Sequence, residues 1–445
     1  MATKGDLIEA QNFSRRRLLT AFVSGAPGGK ELQPTAPLRA VIAAIALTVI
    51  VVLVGVFYGL IRPGLPTGWE NGKLVLVSDT GARFVTVDGT LHPVINTASA
   101  RLLLPANEYG VISTDQATLA GTPVGDTLGI TGAPDELPPA SGLVNTGWSA
   151  CVSDDAALDV RVSTSTGPTP APDRAVVVSV DGILHVIQGE RSFAVSSEDP
   201  DAVLRAAGIS ALDPVTVPAS WLDLFTAGTA LTPITLKNYG ESVSGTSLRV
   251  GQVVRQAGAP EDERFLVQTG GVLETLSPLA WQLYQLGSGS ALKGEVTEVT
   301  GSEIRGLATA SKGIGDQWPS TGFETVPSGQ RPCAVLEGAE GAESQAVSTL
   351  ATQPTSTAVS PGVRVDPSHG ALVRAGGRGD QNTSVLTLVD ATGTAYPLPN
   401  ANDETIARLG YSSDDIGSIP DGWTALMATG PSLSESAAQR TPEAK

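Results

Sequence analysis

Twenty-two consecutive residues, Ala40 to Ile61 (AVIAAIALTVIVVLVGVFYGLI), carry no charged side chain, and this run limits what the chain can fold into. At about 1.5 Å of rise per residue, a helix of that length covers the roughly 30 Å hydrocarbon core of a bilayer. A soluble core helix would show a polar face, and none is present. Inside lipid the backbone amides must bond to one another, so an unbroken helix that tolerates Gly55 and Gly59 is the expected form.

The flanks orient it. Lys4, Arg15, Arg16, Arg17, Lys30 and Arg39 precede the run against Asp6, Glu9 and Glu31, whereas Arg62 stands alone after it until Lys73. Positive residues resist translocation, so the N-terminus is expected in the cytoplasm and the body outside. A cleaved signal peptide would have a shorter, earlier apolar region ending in a small-x-small site. Ser14 to Leu19 (SRRRLL) imitates a twin-arginine export signal, but a Gly/Pro-rich spacer, Gly25 to Pro37, separates it from the apolar run.

The formal net charge is −17; the six basic and three acidic residues before position 62 contribute +3, so the 384 residues that follow carry −20. An acidic exported body argues against nucleic acid or anionic lipid as partner. Its length suffices for two or three domains, and 50 Gly and 31 Pro against sparse Lys and Glu favour turns and short strands over long helices.

In chain order, residues 1–38 form a short tail in which Leu18, Leu19, Phe22 and Val23 fall at helical spacing opposite Arg15, Arg16 and Arg17. The arginines either only fix topology or also dock a cytoplasmic partner or the membrane surface. The span is placed at 39–62 and a Pro/Gly linker at 63–72. Lys73 to Val77 and Arg83 to Val87 then read as a β-hairpin, with Asp88-Gly89 as a second tight turn and Thr97 to Leu104 as a short helix stopped by Pro105.

Several blocks carry a resemblance. Leu74 to Gly81 (LVLVSDTG), Leu91 to Leu102 (LHPVINTASARL), the Arg-rich tail with Phe13, the span ending in Leu60-Ile61-Arg62-Pro63, Gly147 to Cys151 (GWSAC), Gly370 to Ala375 (GALVRA) and Ala407 to Tyr411 (ARLGY) are similar to segments of the EccB family. EccB is a membrane component of the type VII (ESX) secretion system of actinobacteria, and the resemblance covers essentially the whole chain. It implies four small repeats around a central domain in an elongated body with rough two-fold symmetry. It also implies a disulfide, a hexameric membrane complex, and as partners the FtsK/SpoIIIE-type ATPase EccC, EccD, EccE and the mycosin protease.

Repetition is visible in the residues themselves. Gly208, Pro218, Trp221 and Gly228 recur 202 positions later as Gly410, Pro420, Trp423 and Gly430. The expected unit is strand, Gly turn, strand, helix: Val176–Val180 and Ile183–Ile187 in one copy, Leu386–Val389 and Thr394–Leu398 in the other. Phe265–Leu273 gives a further hairpin. The helix after it, Ser277–Leu286, has Ser277 as N-cap, Pro278 in its first turn and Leu279, Leu283 and Leu286 on one face. With the hairpin near Lys73 this makes four units in an α+β fold. The first is assigned to 73–150, the second and third to a central region 151–333 bounded by the two cysteines, and the fourth to 362–430. Residues 334–361 and Ser163 to Arg174 read as linkers, and the tail 431–445 as disordered.

Little in the sequence carries chemistry. Cys151 and Cys333 are the two cysteines, both on the exported side, where a lone pair is most simply a disulfide; two buried free thiols are the alternative. Neither has a His or Cys at metal-ligand spacing, so no metal is assigned. His92, His185 and His369 are scattered, with no nucleophile frame beside them. Members of the EccB family have been described as ATPases, yet the nearest imitation of a phosphate loop, Gly28-Gly29-Lys30, lacks its first Gly and is followed by Glu31. No catalytic residue and no cofactor are therefore assigned. A structural subunit of a secretion machine is the leading expectation; an ATPase or a cell-envelope hydrolase is the alternative.

Overall fold

The computed structural model describes residues 3–24, 37–60, 65–165, 167–209, 213–338, 346–376 and 385–442. The chain divides into two units, Met1–Pro66 and Thr67–Lys445.

The first unit holds two helices, α1 (Lys4–Ser24) and α2 (Pro37–Leu60). Pro37 opens α2 at a position where its missing N–H would have no helical partner anyway. The stretch Leu38–Val56 has a mean hydropathy of 2.7, none of it is buried, and it is long and apolar enough to cross a membrane. Its one hydroxyl between Leu38 and Val56, Thr48 Oγ1, donates to the Ala44 carbonyl at 2.8 Å, so the helix carries no unsatisfied hydroxyl into lipid. Helix α1 corrects one expectation. Consecutive helical residues are about 100° apart, so Arg15, Arg16 and Arg17 fan around the helix and cannot all lie opposite Leu18, Leu19, Phe22 and Val23. The last two residues assigned to the span, Ile61 and Arg62, and the Gly28-Gly29-Lys30 triplet lie outside the described residues.

Among its described residues the second unit contains five sheets, four of which share one topology. In each, three strands run antiparallel, a helix follows, and a fourth strand returns parallel to the first. The first repeat consists of Lys73–Val77, Arg83–Val87, Thr90–Pro93, helix Thr97–Leu103 and Gly110–Thr114. The second is Arg174–Val180, Ile183–Gln188, Arg191–Ala194, helix Pro200–Ala206 and Val215–Thr216. Val253–Gln256, Phe265–Val267, Leu273–Thr275, helix Pro278–Leu286 and Thr297–Val299 make the third. Ala371–Ala375, Leu386–Val389, Thr394–Leu398, helix Asp403–Leu409 and Gly417–Ile419 make the fourth.

Local chemistry sets these elements. Asp88-Gly89 and Asp181-Gly182 adopt positive φ at both central positions, which matches the right-handed strand twist across a two-residue turn. Each repeat helix begins at a side-chain cap: Asn96, Asp199, Ser277 and Asn402 accept from the N–H three residues on. Leu279 and Leu283 of the third helix are buried as expected, but Leu286 is 40% exposed at its C-terminal end.

The 202-residue offset now has a physical content. Gly208 and Gly410 follow their helices with left-handed φ of 82° and 97°. Pro218 and Pro420 lead into short helices, Ala219–Leu222 and Gly422–Ala425, whose Trp221 and Trp423 are fully buried. A parallel strand then closes each sheet at Thr226–Ala227 and Ala428–Thr429. The glycines ending these strands lie against aromatic rings: a Cβ on Gly228 would come within 2.6 Å of Phe193, and one on Gly430 within 2.3 Å of Tyr396. Only hydrogen fits there.

The fifth sheet is central and draws on both halves of the chain. Its strands are β1 (Ser149–Val152), β2 (Leu158–Val162), β3 (Thr169–Pro170), β4 (Gln330–Glu337), β5 (Val347–Pro354) and β6 (Gly362–Val365), in the order β6-β2-β1-β4-β5-β3. Thus β3 of the earlier half pairs with β5 of the later half, and β6 of the later half with β2 of the earlier one. This corrects the reading of 334–361 as a linker: β4 and β5, eight residues each, form the longest hairpin of the fold, with Ser348, Thr349, Leu350 and Ala351 buried. Small residues mimic a linker's composition, but sheet pairing decides their conformation. The segment after Gly430 is also ordered: Glu435–Ala438 is a helical turn capped by Ser434, and Leu433 and Ala438 are fully buried.

Candidate functional site: the strapped face of the central sheet

Side chains alternate across a strand, so the central sheet has two unlike faces. One carries Ala150, Val152, Val160, Val162, Ala334, Leu336 and Leu350, which pack with Trp148, Trp221 and Trp423 into the main core. The other carries Ser149, Asp159, Arg161, Arg331, Gln353 and Arg364 around a small apolar centre of Cys151, Cys333, Val335 and Ala351.

At the middle of this second face Cys151 of β1 stands directly opposite Cys333 of β4, with Cα atoms 4.0 Å apart and the two joined as a disulfide. Both cysteines are buried, with Ala351 and Val335 beside them. Toward β6 lies an ionic cluster. The side chain of Asp159 is 2% exposed and sits between Arg161 and Arg364, which face each other across β2 and β6. Arg161 donates through Nη2 at 2.9 Å and through Nε at 3.3 Å. Burial alone would push the Asp159 carboxyl up, but the hydrogen bonds and charges of the two guanidinium groups outweigh it and hold the carboxyl below its ordinary range. The same contact raises the affinity of Arg161 for its proton. At the opposite end, buried Arg331 of β4 donates to the carbonyls of Thr355 (2.9 Å) and Val152 (3.3 Å). It stands across from Gln353 of β5.

Ser163 to Ser165 and Gly167-Pro168 lie between β2 and β3, which is at the far edge of the sheet, and Gly167 is close enough to β1 that a Cβ built on it would stand 3.9 Å from the Ser149 side chain. This strap therefore lies over the polar face. Beneath it is a pocket of about 220 Å³ whose walls include Ser149, Cys151, Arg161, Ser163 and Gln353. Two polar groups in those walls have no hydrogen-bond partner among the described residues: the hydroxyl of Ser149, a residue only 4% exposed, and the buried amide nitrogen of Gln353.

The sequence-predicted residues do not converge. His92 lies in the first repeat with Nδ1 3.1 Å from the Asp126 carbonyl, and His369 lies before the fourth with Nδ1 2.8 Å from the Pro367 carbonyl. His185 is half-buried in the second, where desolvation lowers its pKa. Arg15, Arg16 and Arg17 belong to the other unit. Among the described residues no group of three His, Cys, Asp or Glu side chains is placed to hold a metal ion. What this face presents is guanidinium, amide and hydroxyl groups, which can bind and orient. Asp159, Arg161, Arg364 and Gln353 were not singled out from sequence, although LDVRV and GVRV already place a charge at alternate positions of two strands.

Comparison with known proteins is consistent along the whole chain. The family described as "Type VII secretion system ESX-1, transport TM domain B" (EccB) matches residues 1–444. The protein named ESX-3 secretion system ATPase EccB3 of Mycolicibacterium smegmatis is 28% identical over 89% of this chain and 82% of its own length. The ESX-2 secretion system ATPase EccB2 of Mycobacterium tuberculosis is 31% identical over 40% of this chain and 37% of its own. Among solved structures, a chain of an intact ESX-5 inner membrane complex matches with a TM-score of 0.64 at 20% identity, covering 100% of this chain and 96% of that one. A chain of the EccB3 dimer from the ESX-3 core complex matches with a TM-score of 0.64 at 22% identity, covering 82% of this chain and 99% of that one.

Proposed function

Because this chain belongs to the EccB family of type VII secretion membrane proteins, we propose that it is a structural membrane subunit of an ESX secretion complex, anchored by α2 and contributing a rigid scaffold through its repeats. The observation that carries this reading is the whole-chain family match joined to a body of four repeats around one disulfide-closed sheet. Such an assembly supplies surface and geometry.

The tail, with Arg15, Arg16 and Arg17, stays in the cytoplasm and docks partners there; the unit from Thr67 onward stands outside, on the periplasmic side. The charge asymmetry around the span supports this orientation. The partners in this reading are EccC, EccD, EccE and the mycosin protease, in a hexameric complex, with EccC hydrolysing the nucleotide. Relatives are named ATPases, but in this sequence Gly-Lys occurs only at Gly29-Lys30 and Gly72-Lys73, and neither pair is followed by the Ser or Thr that holds magnesium in a phosphate loop.

A membrane-impermeant thiol reagent applied to whole cells tests the orientation: a cysteine at Ser356 is labelled and one at Gln11 is not. The scaffold reading is tested on the purified full-length protein free of partners. It should show no ATP hydrolysis that a point substitution abolishes, and replacing Arg15, Arg16 and Arg17 by Gln should reduce recovery of cytoplasmic partners without preventing insertion. Hydrolysis that a single substitution removes rejects the scaffold reading in favour of an enzyme.

A further inference from the structure

The pocket under the strap gathers donors that its own walls do not use. Asp159 occupies Nε and Nη2 of Arg161, which fixes the guanidinium plane, while 44% of the Arg161 side chain remains exposed. Ser149 as a residue is nine-tenths buried and lines the pocket, and its hydroxyl has no partner among the described residues. From β5, Gln353 adds an amide nitrogen that is likewise buried and unpartnered. A buried donor left without an acceptor costs about 1–3 kcal/mol, and a fold that keeps the Gln353 amide nitrogen in that state in the wall of a polar cavity is pre-organised for an acceptor from outside. The charge of the walls fits an anion: Arg161 is the one charged side chain among the residues lining the pocket. The nearby Asp366 carboxylate is turned to the Ser163 hydroxyl and the Thr164 amide of the strap.

We propose that this pocket binds a ligand bearing a tetrahedral oxyanion, a phosphate or sulfate group, held by Arg161 and Ser149, with the amide nitrogen of Gln353 donating to it from β5. Donors approach from three separate strands, β1, β2 and β5, a spread that suits oxygens disposed in three dimensions better than the plane of a carboxylate. The Arg161 guanidinium, already held by Asp159, loses little freedom on binding. The site is independent of the secretion role and would exist in any chain that kept these residues.

The test uses purified full-length protein in detergent, its thermal unfolding followed while inorganic phosphate, glycerol phosphate or acetate is added against sodium chloride of equal ionic strength. A saturable rise of the midpoint with inorganic phosphate identifies a free ion as the source, and a larger rise with glycerol phosphate identifies an ester; either supports the site. Arg161→Gln and Ser149→Ala should each weaken the response about tenfold or more. Ser149→Ala removes a hydroxyl that has no partner among the described residues, so it decides the matter even if Arg161→Gln unfolds. A flat response overturns the proposal, as does one matched by chloride or acetate, or one unchanged in Ser149→Ala.

Discussion

The indole N–H of Trp221 donates to the Ala150 carbonyl and that of Trp423 to the Ser348 hydroxyl, each at 2.9 Å, so two tryptophans 202 residues apart grip the two halves of one sheet. Trp148 meets Trp423 edge-on, with ring centroids 6.0 Å apart, and extends the same core. The two grips differ in kind, since one acceptor is backbone and the other a side chain. Ser348→Ala should therefore leave the Trp423 N–H buried and unpaired and lower the unfolding free energy by about 1–3 kcal/mol. No side-chain replacement at Ala150 removes the acceptor of Trp221. Denaturant unfolding of the purified protein measures this, and a midpoint unchanged in Ser348→Ala refutes it.

Removing the Cys151–Cys333 bond releases a loop whose ends are 182 residues apart in sequence. In the chain-entropy view that costs about 5 kcal/mol, an upper figure because real denatured chains are compact. Cys151→Ser should lower the thermal midpoint, and the non-reduced protein should migrate faster on a gel than the reduced one. Two titratable thiols in the native protein would contradict both expectations.

Acid should weaken the fold through Asp159. Its folded-state pKa lies below the unfolded value of about 3.9, so its contribution is complete above that pH and is lost as pH falls through the folded value. Arg364→Gln removes one of the two lowering partners and should move the acid transition to higher pH, whereas Asp159→Asn should lower stability at neutral pH by leaving two guanidinium groups without their carboxylate. Acid unfolding profiles of the three proteins that superimpose would show the cluster to be inert.

Gly228→Ala and Gly430→Ala should each destabilise by about 1–3 kcal/mol, since the added methyl meets the rings of Phe193 and Tyr396 with no room to relax. Ala at Gly81, where a Cβ has open space, would be strained only by its backbone φ of 71°. If the two positions respond alike, close packing is not the reason for the repeated glycine.

Much of this architecture is legible in the residues because its signals are local. Asp-Gly turns, Asn, Asp and Ser caps and the apolar run each act within a few positions, and the 202-residue offset aligns the second and fourth repeats from Gly208 to Gly430. The central sheet is not legible in that way. Its strands Gln330–Glu337 and Val347–Pro354 mix small and polar residues without a clear period, and their conformation is set by pairing that includes a strand nearly two hundred residues distant, as Cys333 opposite Cys151 illustrates. The polar pocket is less visible still, because Ser149, Arg161 and Gln353 become neighbours only once β1, β2 and β5 share a sheet. Arg15, Arg16 and Arg17 show the opposite limit: their charge is plain, but helical geometry spreads it.

The exchange of β3 and β6 between the two halves bears on how such a chain could be shortened. A polypeptide carrying only one half would keep its own hairpin of the central sheet but leave the neighbouring positions open on either side, with backbone N–H and C=O groups unpaired. A second copy of the same half could fill those positions by lending its outlying strand, the arrangement of a domain-swapped homodimer. The intact chain makes both exchanges within one molecule, although β3 joins β5 antiparallel and β6 joins β2 parallel. Covalent linkage keeps the lent strands always within reach, so the exchange does not depend on concentration and the two halves cannot part by dilution.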